Sequence, residues 1–221
     1  MNRREFSAGT ACVLAAAGLG LPQLAFAQSR PQDGREYKTL DKRVAVEAPA
    51  GKIEVVEFFW YSCPHCNAFE PQLEAWIKRL PQDVVLRRVP VAFRDDFVPQ
   101  QRLFYTLEAM GKLDELHRKV FSAIHGDKQP TNKEDTILAW AEKNGLDRAK
   151  FQEVYNSFSV STKARRATQL QEGFQVEGVP ALGIAGRWYT DGSLAGNMTK
   201  ALQVTDYLIA EARKGGTTAS R

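Results

Sequence analysis

The fold of this 221-residue chain is decided by residues 53–66, which read IEVVEFFWYSCPHC. Residues 53–59 are mostly β-branched and aromatic, a composition that favours a buried strand. Ser62-Cys63-Pro64 ends this run, and proline is well tolerated in the first turn of a helix because no amide partner is needed there. The pattern therefore predicts Cys63 and Cys66 at the junction of a strand and a helix.

Apolar residues at helical spacing continue the predicted helix, which Pro71 is expected to kink because it lacks an amide and crowds the preceding turn. These apolar positions are Phe69, Leu73, Trp76, Ile77 and Leu80. Residues 84–91 predict a second core strand, and from about Pro99 to Gly173 the pattern is helical almost throughout. The chain thus has a helical block between two β-rich parts.

Local signals predict where elements begin and end. Asn132 is predicted to cap a helix that stops at Gly145, and Asp147 to start the next helix. The remaining expected elements are strands at 181–184 and 187–189 joined by Ala185-Gly186, a helix over about 199–213, and a frayed tail from Gly215.

The N-terminal segment has the features of an export signal. Arg3-Arg4 precedes an apolar run over residues 11–21, and Ala25-Phe26-Ala27 matches the small-x-small cleavage pattern. Residues 1–27 are therefore predicted to be a signal peptide rather than a buried helix. The paired arginines also resemble a twin-arginine signal, so the export route stays open. No later run reaches the roughly 18 apolar residues of a spanning helix.

Cysteine content and charge narrow the class of protein. Cys12 lies in the predicted signal segment, so only Cys63 and Cys66 remain in the exported chain. One disulfide between closely spaced cysteines does not stabilise a fold of this size, so the two thiols are available for a reaction. The formal charge of +4 and the lack of a Lys/Arg block argue against nucleic acid as a partner.

A Cys-x-x-Cys pair at a helix start suits thiol–disulfide exchange. Thiols react as thiolates, and the free amides and positive dipole end of a helix favour the anion on Cys63. His65 adds a cation beside that sulfur when it is protonated. Stabilising the thiolate stabilises the reduced form and makes the disulfide a stronger oxidant. The pair is therefore expected to donate its disulfide to other proteins.

Residues 58–66 resemble the active site of the DsbA family, the periplasmic thiol:disulfide oxidoreductases, in which Pro64 and His65 are the usual residues between the cysteines. Gly178-Val179-Pro180-Ala181 is similar to the family's cis-proline loop. The resemblance implies an α/β protein, a thioredoxin fold with an inserted all-helical domain. The thioredoxin-like parts are then expected at 36–96 and 169–214, the helical domain at 97–168 and a flexible tail at 215–221.

The resemblance also implies roles for individual residues. Val179–Pro180 is expected to be cis and to face the cysteines, with the backbone of Val179 pairing with an extended substrate. Glu57 matches the buried acid beneath the family's active site, whose carboxylate would relay protons when Cys66 is attacked or released. The expected site residues are Cys63, Pro64, His65, Cys66 and Glu57, with Val179 and Pro180 binding substrate. Pro71 departs from the best-known members and leaves the shape of the groove beside the helix open.

By the same resemblance, the activity is that of a protein disulfide oxidase. The Cys63–Cys66 disulfide would be donated to unfolded or reduced exported proteins in the periplasm. A membrane reoxidase of the DsbB type, linked to quinone, would restore it. No bound cofactor and no metal ion are expected, and the protein is expected to act as a monomer.

Other interpretations stay open from the sequence alone. The cysteines suit a static disulfide, although their position at a helix start favours redox use. A structural zinc site needs four ligands, and only three histidines accompany the cysteine pair. His117 and His125 are expected on helix surfaces, which argues against a zinc site. Glu57 suits an ordinary strand carboxylate, and Pro180 suits a trans proline in a turn.

The aromatic residues and the function of the whole protein also have alternatives. Trp60, Tyr61 and Phe93 either line an apolar groove or pack in the core. A reductase or disulfide isomerase would use the same cysteines at a lower potential, and the Pro-His dipeptide argues against it. A holdase would rely on apolar surface alone, with incidental cysteines.

Overall fold

A mixed sheet of five strands organises the part of the chain that the computed structural model describes, residues 30–217. The predicted signal peptide, 1–27, and the last residues of the predicted tail, 218–221, lie outside this range. The strands are β1 (Lys38–Thr39), β2 (Ile53–Phe59), β3 (Val84–Pro90), β4 (Ala181–Ile184) and β5 (Trp188–Asp191). Their order across the sheet is β1-β5-β4-β2-β3.

Eight helices surround the sheet within residues 30–217. They are α1 (Pro64–Ile77), α2 (Val98–Ala109), α3 (Leu113–Phe121), α4 (Glu134–Lys143), α5 (Arg148–Tyr155), α6 (Phe158–Gly173), α7 (Gly192–Ala195) and α8 (Met198–Thr217). A 3₁₀ turn at Asp95–Phe97 precedes α2, and a π-helical turn at Ser122–Gly126 follows α3.

Strand β2 is central and carries the chain directly to the cysteines. It runs parallel to β3 and antiparallel to β4, and α1 is the crossover that the parallel pair requires. All of its residues after Ile53 are buried, which explains its β-branched and aromatic composition. The register places Glu57 beside Arg88 of β3 and Leu182 of β4. A carboxylate and a guanidinium thus meet inside the sheet.

Helices α1 and α8 share one hydrophobic cluster with the sheet. Its members include Phe69, Leu73, Trp76, Val55, Leu182, Val204 and Leu208. Pro71 lies inside α1 at an exposed position, and the helix continues through it to Ile77. The proline therefore removes one backbone hydrogen bond without ending the helix.

Helices α2 to α6 form the predicted helical block between β3 and β4. Aromatic residues of the block, such as Phe104 and Phe121, pack against Phe59 of β2 in a second hydrophobic cluster. The described residues from Pro31 onward form one compact unit, because this cluster is continuous across the block and the sheet. The boundaries 36–96, 97–168 and 169–214 stay predictions, and α6 itself runs on to Gly173.

Most predicted helix ends are confirmed, and two are shifted. Asp147 caps α5, with its carboxylate accepting from the Lys150 amide at 2.7 Å, and Gly145 follows α4 with a φ of +83°. The predicted cap at Asn132 is wrong: Lys133 occupies that position, and its amide donates to the Thr136 hydroxyl. The last helix ends at Thr217 rather than near residue 213.

No helix within residues 30–217 is both long enough and apolar enough to cross a lipid bilayer.

Candidate active site

Cys63 occupies the cap position at the start of α1, as the sequence predicts. Its backbone is extended, with φ −80° and ψ 117°, and its Sγ accepts a hydrogen bond from the Cys66 amide at 3.4 Å. Pro64 takes the first helical position, where it leaves no amide unpaired. Both cysteines are free thiols, so the structure represents the reduced state.

The environment of Cys63 favours its thiolate. The Cys66 thiol donates to it and is the largest influence, and burial opposes ionisation. The amides of Cys66 and His65 and the positive charge of His65 add to the stabilisation. Together they lower the pKa of Cys63 from 9.0 to about 6. The sequence-based expectation of a stabilised thiolate agrees with this geometry.

Cys66 has the opposite character. It is fully buried, whereas Cys63 is 7% exposed. Burial raises the pKa of the Cys66 thiol, and the hydrogen bond to Cys63 and the charge on Cys63 raise it further. The two sulfurs are therefore distinguished: one is partly accessible and acidic, and the other is sequestered and protonated.

The loop containing Pro180 lies against the reactive sulfur. The Val179–Pro180 peptide is cis, as expected, and the Cys63 thiol donates to the Val179 carbonyl at 3.4 Å. His65, Val179 and Pro180 also line an open cleft of about 500 Å³, together with Asn197 and Met198 at the start of α8. The fold thus joins the predicted cysteine and proline motifs in one surface site.

Glu57 lies beneath this site with no exposed surface. Arg88 Nε is 3.1 Å from its Oε2, but neither carboxylate oxygen has a hydrogen-bond partner with acceptable geometry among the described residues. Burial and the neighbouring charge of Glu70 raise the pKa of Glu57 to about 8, and Arg88 only partly opposes this. Its charge in turn raises the pKa of Cys66, after burial and Cys63. Glu57 is therefore a buried carboxyl that gains and loses its proton near neutral pH.

Sequence reasoning missed the residues that surround Glu57. Glu70 of α1 is fully buried, and its Oε2 accepts from Arg88 Nη2 at 3.0 Å. Its Oε1 lies 3.3 Å from His117 Nε2, and His117 Nδ1 lies 2.9 Å from the Tyr61 hydroxyl. One signal was available: Glu70 falls at helical spacing among the buried positions of α1. The partners of Glu70 come from elements distant in the sequence, so no local pattern indicates them.

The expectation that His117 and His125 lie on helix surfaces is wrong for His117 and incomplete for His125. His117 is 5% exposed, because α3 turns it toward Glu70 and Tyr61. His125 is half-buried, and its Nε2 lies 2.8 Å from the Tyr61 carbonyl oxygen. Amphipathic spacing alone does not distinguish a histidine that faces a buried carboxylate from one that faces water.

The helical block also holds the loop before the cysteines. The side-chain amide of Gln100 accepts from the Ser62 amide at 3.2 Å and donates to the Ser62 hydroxyl at 2.8 Å and the Thr131 carbonyl at 3.1 Å. Gln100 is 1% exposed, so these bonds are shielded from water. A residue of α2 therefore fixes the approach to Cys63, which the sequence did not indicate.

The three aromatic residues singled out in the sequence have different roles. Tyr61 is buried in the core, and Trp60 is half-buried and stacks on Phe97 with ring centroids 3.9 Å apart. Phe93 is 37% exposed and contacts Phe97 edge-on. Within residues 30–217, no group of three or more His, Cys, Asp or Glu side chains is placed to hold a metal ion.

An acidic thiol at a helix start, a buried second thiol one turn later and a cis proline against them define a thiol:disulfide oxidoreductase of thioredoxin fold. The model of the DSBA-like thioredoxin domain matches residues 88–203. The chain belongs to the DsbA family, with the thioredoxin fold and inserted helical domain of that family, and its reaction is thiol:disulfide interchange.

The similarity extends over most of the chain. The thiol:disulfide interchange protein DsbA of Bordetella pertussis is 45% identical over 203 residues, which is 91% of this chain and 96% of that protein. The crystal structure of Pseudomonas aeruginosa DsbA has a TM-score of 0.79 at 38% identity and covers 83% of this chain and 95% of that one. The DsbA oxidoreductase of Xylella fastidiosa has a TM-score of 0.77 at 29% identity, over 83% of this chain and 98% of that one.

Proposed function

We propose that this protein is a periplasmic disulfide oxidase that donates a Cys63–Cys66 disulfide to newly exported proteins. The observation that carries the proposal is the placement of the two sulfurs: Cys63 Sγ caps the start of α1, where the Cys66 amide donates to it, and Cys66 is fully buried. This placement lowers the pKa of Cys63 to about 6 and raises that of Cys66. At neutral pH the reduced protein then holds Cys63 mainly as thiolate. Because this stabilises the reduced state, electrons flow from substrate thiols into the pair.

The reaction proceeds by two exchanges. A substrate thiolate attacks Cys63 Sγ of the disulfide, which forms a mixed disulfide and releases Cys66. A second substrate thiolate then attacks the substrate's own sulfur in the mixed disulfide, and Cys63 leaves as a thiolate. Two electrons pass from the substrate to the protein. Cys63 is the more exposed sulfur and the better leaving group, which supports its role as the attacked atom.

Glu57 transfers the proton at Cys66, the buried cysteine. When Cys66 is released, its sulfur needs a proton, because burial raises the pKa of that thiol. Glu57 lies beneath it, and its own pKa of about 8 lets it hold a proton at neutral pH and give it up readily. The same carboxylate takes the proton back when Cys66 attacks during reoxidation.

Substrate binds across the cis-proline loop. The Val179 carbonyl accepts from the Cys63 thiol, so the backbone of Val179 is close enough to pair with an extended chain attached to Cys63. Pro180 has no amide hydrogen, so it places no competing donor beside the sulfurs. The cleft lined by His65, Val179 and Met198 gives neighbouring substrate residues a partly apolar surface.

The remaining elements of the proposal concern partners and location. Substrates are reduced or unfolded exported proteins in the periplasm, and a quinone-linked membrane reoxidase of the DsbB type restores the disulfide. The protein acts as a monomer, without bound cofactor and without nucleic acid. The predicted signal peptide at 1–27 and the DsbA relatives support this setting.

The test is oxidation of a reduced, unfolded protein that contains two cysteines. Oxidised wild type should accelerate formation of the substrate disulfide many-fold, while Cys63→Ser, which keeps the fold and removes the attacked sulfur, should not. Equal rates for the two proteins contradict the proposal. Equilibration with glutathione then tests direction: a couple as reducing as that of thioredoxin, about −270 mV, indicates a reductase instead.

A holdase is distinguished by a matched pair of variants. If the double variant Cys63→Ser/Cys66→Ser suppresses aggregation as well as wild type, and wild type oxidises the substrate no faster than that variant, the protein acts as a holdase through its apolar surface. We expect the opposite, that disulfide transfer by wild type is the dominant activity.

A further inference from the structure

Four buried polar side chains and the partly buried Arg88 form one connected network beneath the active site. It runs from Tyr61 to His117, from His117 to Glu70, and from Glu70 through Arg88 to Glu57. The members come from the loop before α1, from α3, α1, β3 and β2. The network holds two carboxylates and one guanidinium, so one carboxylate is better compensated than the other.

The direction of each hydrogen bond made by His117 follows from what Glu70 and Tyr61 can donate or accept. An ionised Glu70 only accepts, so His117 Nε2 must carry a hydrogen to bond Oε1. His117 Nδ1 is then a lone pair in the neutral ring and accepts from the Tyr61 hydroxyl. Both ring nitrogens are satisfied in this one tautomer.

Protonation of His117 would break this arrangement. A hydrogen on Nδ1 would force the Tyr61 hydroxyl to accept, and its own proton would then point into a fully buried space, because His117 is the hydroxyl's one hydrogen-bond partner among the described residues. An unsatisfied buried donor is costly. Burial likewise lowers the pKa of His117, although Glu70 opposes this. His117 is therefore a neutral donor to Glu70.

The two carboxylates are consequently unequal. Glu70 accepts from both His117 and Arg88, whereas Glu57 has an ion contact with Arg88 but no hydrogen bond. Against the cost of burial, His117 and Arg88 lower the pKa of Glu70. The pKa of Glu57 is raised. Glu70 is the permanent anion, and Glu57 is the group that exchanges a proton.

We propose that His117 is a positioning residue for the proton transfer at Cys66: by donating to Glu70 it commits Arg88 to Glu70 and leaves Glu57 as the exchanging carboxyl. This inference rests on the proposed role of Glu57 in disulfide exchange. The step concerned is closure of a mixed disulfide between Cys63 and a small thiol such as glutathione. Cys66 Sγ bonds to Cys63 Sγ, and the Cys66 proton passes to Glu57. The small thiol leaves as a thiolate and takes a proton from water. Without the His117 donor, Glu70 takes up a proton more readily, and Arg88, which already contacts both carboxyls, then compensates Glu57, which holds its charge to lower pH.

Several other charged groups lie near the network, but none of them replaces His117. Arg118 of α3 acts on both His117 and Glu70, and it is paired with Glu74 of α1 at 3.6 Å. Lys78 and Asp114 line the same hollow beside His117 and Arg88. Cys66, at the start of α1, is close enough to Glu57 for the charge of Glu57 to raise the pKa of its thiol. None of these groups supplies a second hydrogen bond to Glu70 in place of His117.

The direct test is nuclear magnetic resonance of the reduced wild-type protein. The chain has three histidines, so ¹⁵N-histidine labelling gives few signals, and comparison with His117→Gln assigns the signal of His117. We expect a neutral ring with hydrogen on Nε2 at neutral pH. A protonated ring at neutral pH, or hydrogen on Nδ1 in the neutral ring, overturns the inference.

The functional test compares His117→Leu with His117→Gln. Leucine removes both hydrogen bonds, whereas glutamine keeps one donor for Glu70 and one acceptor for Tyr61. The mixed disulfide of Cys63 with glutathione is formed, and its closure by Cys66 is followed against pH. We expect the midpoint assigned to Glu57 to fall by about one pH unit or more in His117→Leu, and to return close to the wild-type value in His117→Gln.

Glu57→Gln separates the two hypotheses. If Glu57→Gln keeps the wild-type pH profile, the proposed proton relay itself is wrong. If Glu57→Gln loses the midpoint but His117→Leu keeps it unchanged, the relay holds and the role of His117 is wrong. Carboxyl ¹³C titration of Glu57 and Glu70 provides the readout that a merely structural defect does not move, because it reports which of the two carboxyls takes the proton.

Discussion

Cys63 owes its acidity to groups that lie within one turn of helix. The Cys66 thiol, the amides of Cys66 and His65, and the charge of His65 all favour its thiolate, and the pKa falls to about 6. Burial, which acts against the thiolate at Cys63, is what keeps Cys66 protonated. A difference in exposure of two sulfurs one turn apart therefore separates their roles.

Replacing His65 with serine should raise the pKa of Cys63 from about 6 toward the ordinary 9.0 without reaching it. The charge of His65 is lost, but the amides at the start of α1 and the Cys66 thiol remain. Absorbance of the thiolate near 240 nm, titrated against pH, measures the change. A midpoint that stays at the wild-type value contradicts the electrostatic role of His65.

Glu57→Gln should stabilise the reduced protein at neutral pH. The folded-state pKa of about 8 exceeds the ordinary 4.5, so Glu57 costs stability that grows as pH rises from 4.5 to about 8 and is constant above. Removing the ionisable group should raise the free energy of unfolding by about 3 kcal/mol at pH 7, with little gain at pH 4. Urea unfolding at several pH values measures this, and a gain independent of pH would contradict the assignment.

Among the elements, the β4–β5 hairpin depends on its turn. Ala185 and Gly186 both have positive φ, 53° and 62°, as a two-residue turn between twisted strands requires. The Gly186 carbonyl accepts from the Val44 amide at 2.8 Å, so the segment before β2 is held against the turn. The hairpin continues the chain from Pro180, and its position bears on the cis-proline loop.

Gly186→Ala should destabilise the protein by about 3 kcal/mol or more. A Cβ at Gly186 would lie 2.0 Å from the Val44 carbonyl oxygen, so backbone would have to move. Gly145→Ala is the matched control, because Gly145 also has positive φ but nothing within 4 Å of the added atom, and should cost about 1 kcal/mol. Thermal unfolding compares them, and equal losses would mean that conformation alone matters.

At the scale of the whole molecule, the helical block and the sheet support one site. Gln100 and His125 of the block bind the loop at Tyr61 and Ser62, and His117 reaches Glu70 on α1. The hydrophobic cluster containing Phe59, Phe104 and Phe121 spans the junction. The block thus acts as a support for the active-site loop, and separation of the two parts would expose both apolar surface and buried charges.

We expect the reduced protein to unfold in a single transition. Of the four tryptophans, Trp140 and Trp60 pack in the cluster shared with the block, and Trp76 and Trp188 lie in the cluster on the sheet, so fluorescence of wild type and of the double variant Trp60→Phe/Trp140→Phe reports on different parts. Urea midpoints from both, and from far-ultraviolet circular dichroism, should coincide. Loss of helical signal before the signal of Trp76 and Trp188 would show that the block unfolds independently.

The sequence by itself determined the order of elements, the helical block and the acidic thiol at a helix start. These depend on contiguous residues: the apolar pattern of 53–59, the proline after Cys63, and amides of a first helical turn. The family resemblance added Glu57 and the cis proline. Errors at Asn132 and at the end of the last helix were small, because such boundaries depend on packing beyond the local pattern.

Only the tertiary structure decided which groups surround Glu57. Arg88 is its neighbour through the parallel register of β2 and β3, and His117 reaches Glu70 because α3 docks against α1 and the loop at Tyr61. The physical reason is that a buried charge is compensated by whichever partners the packing brings within hydrogen-bond distance, and those partners are far apart in the chain.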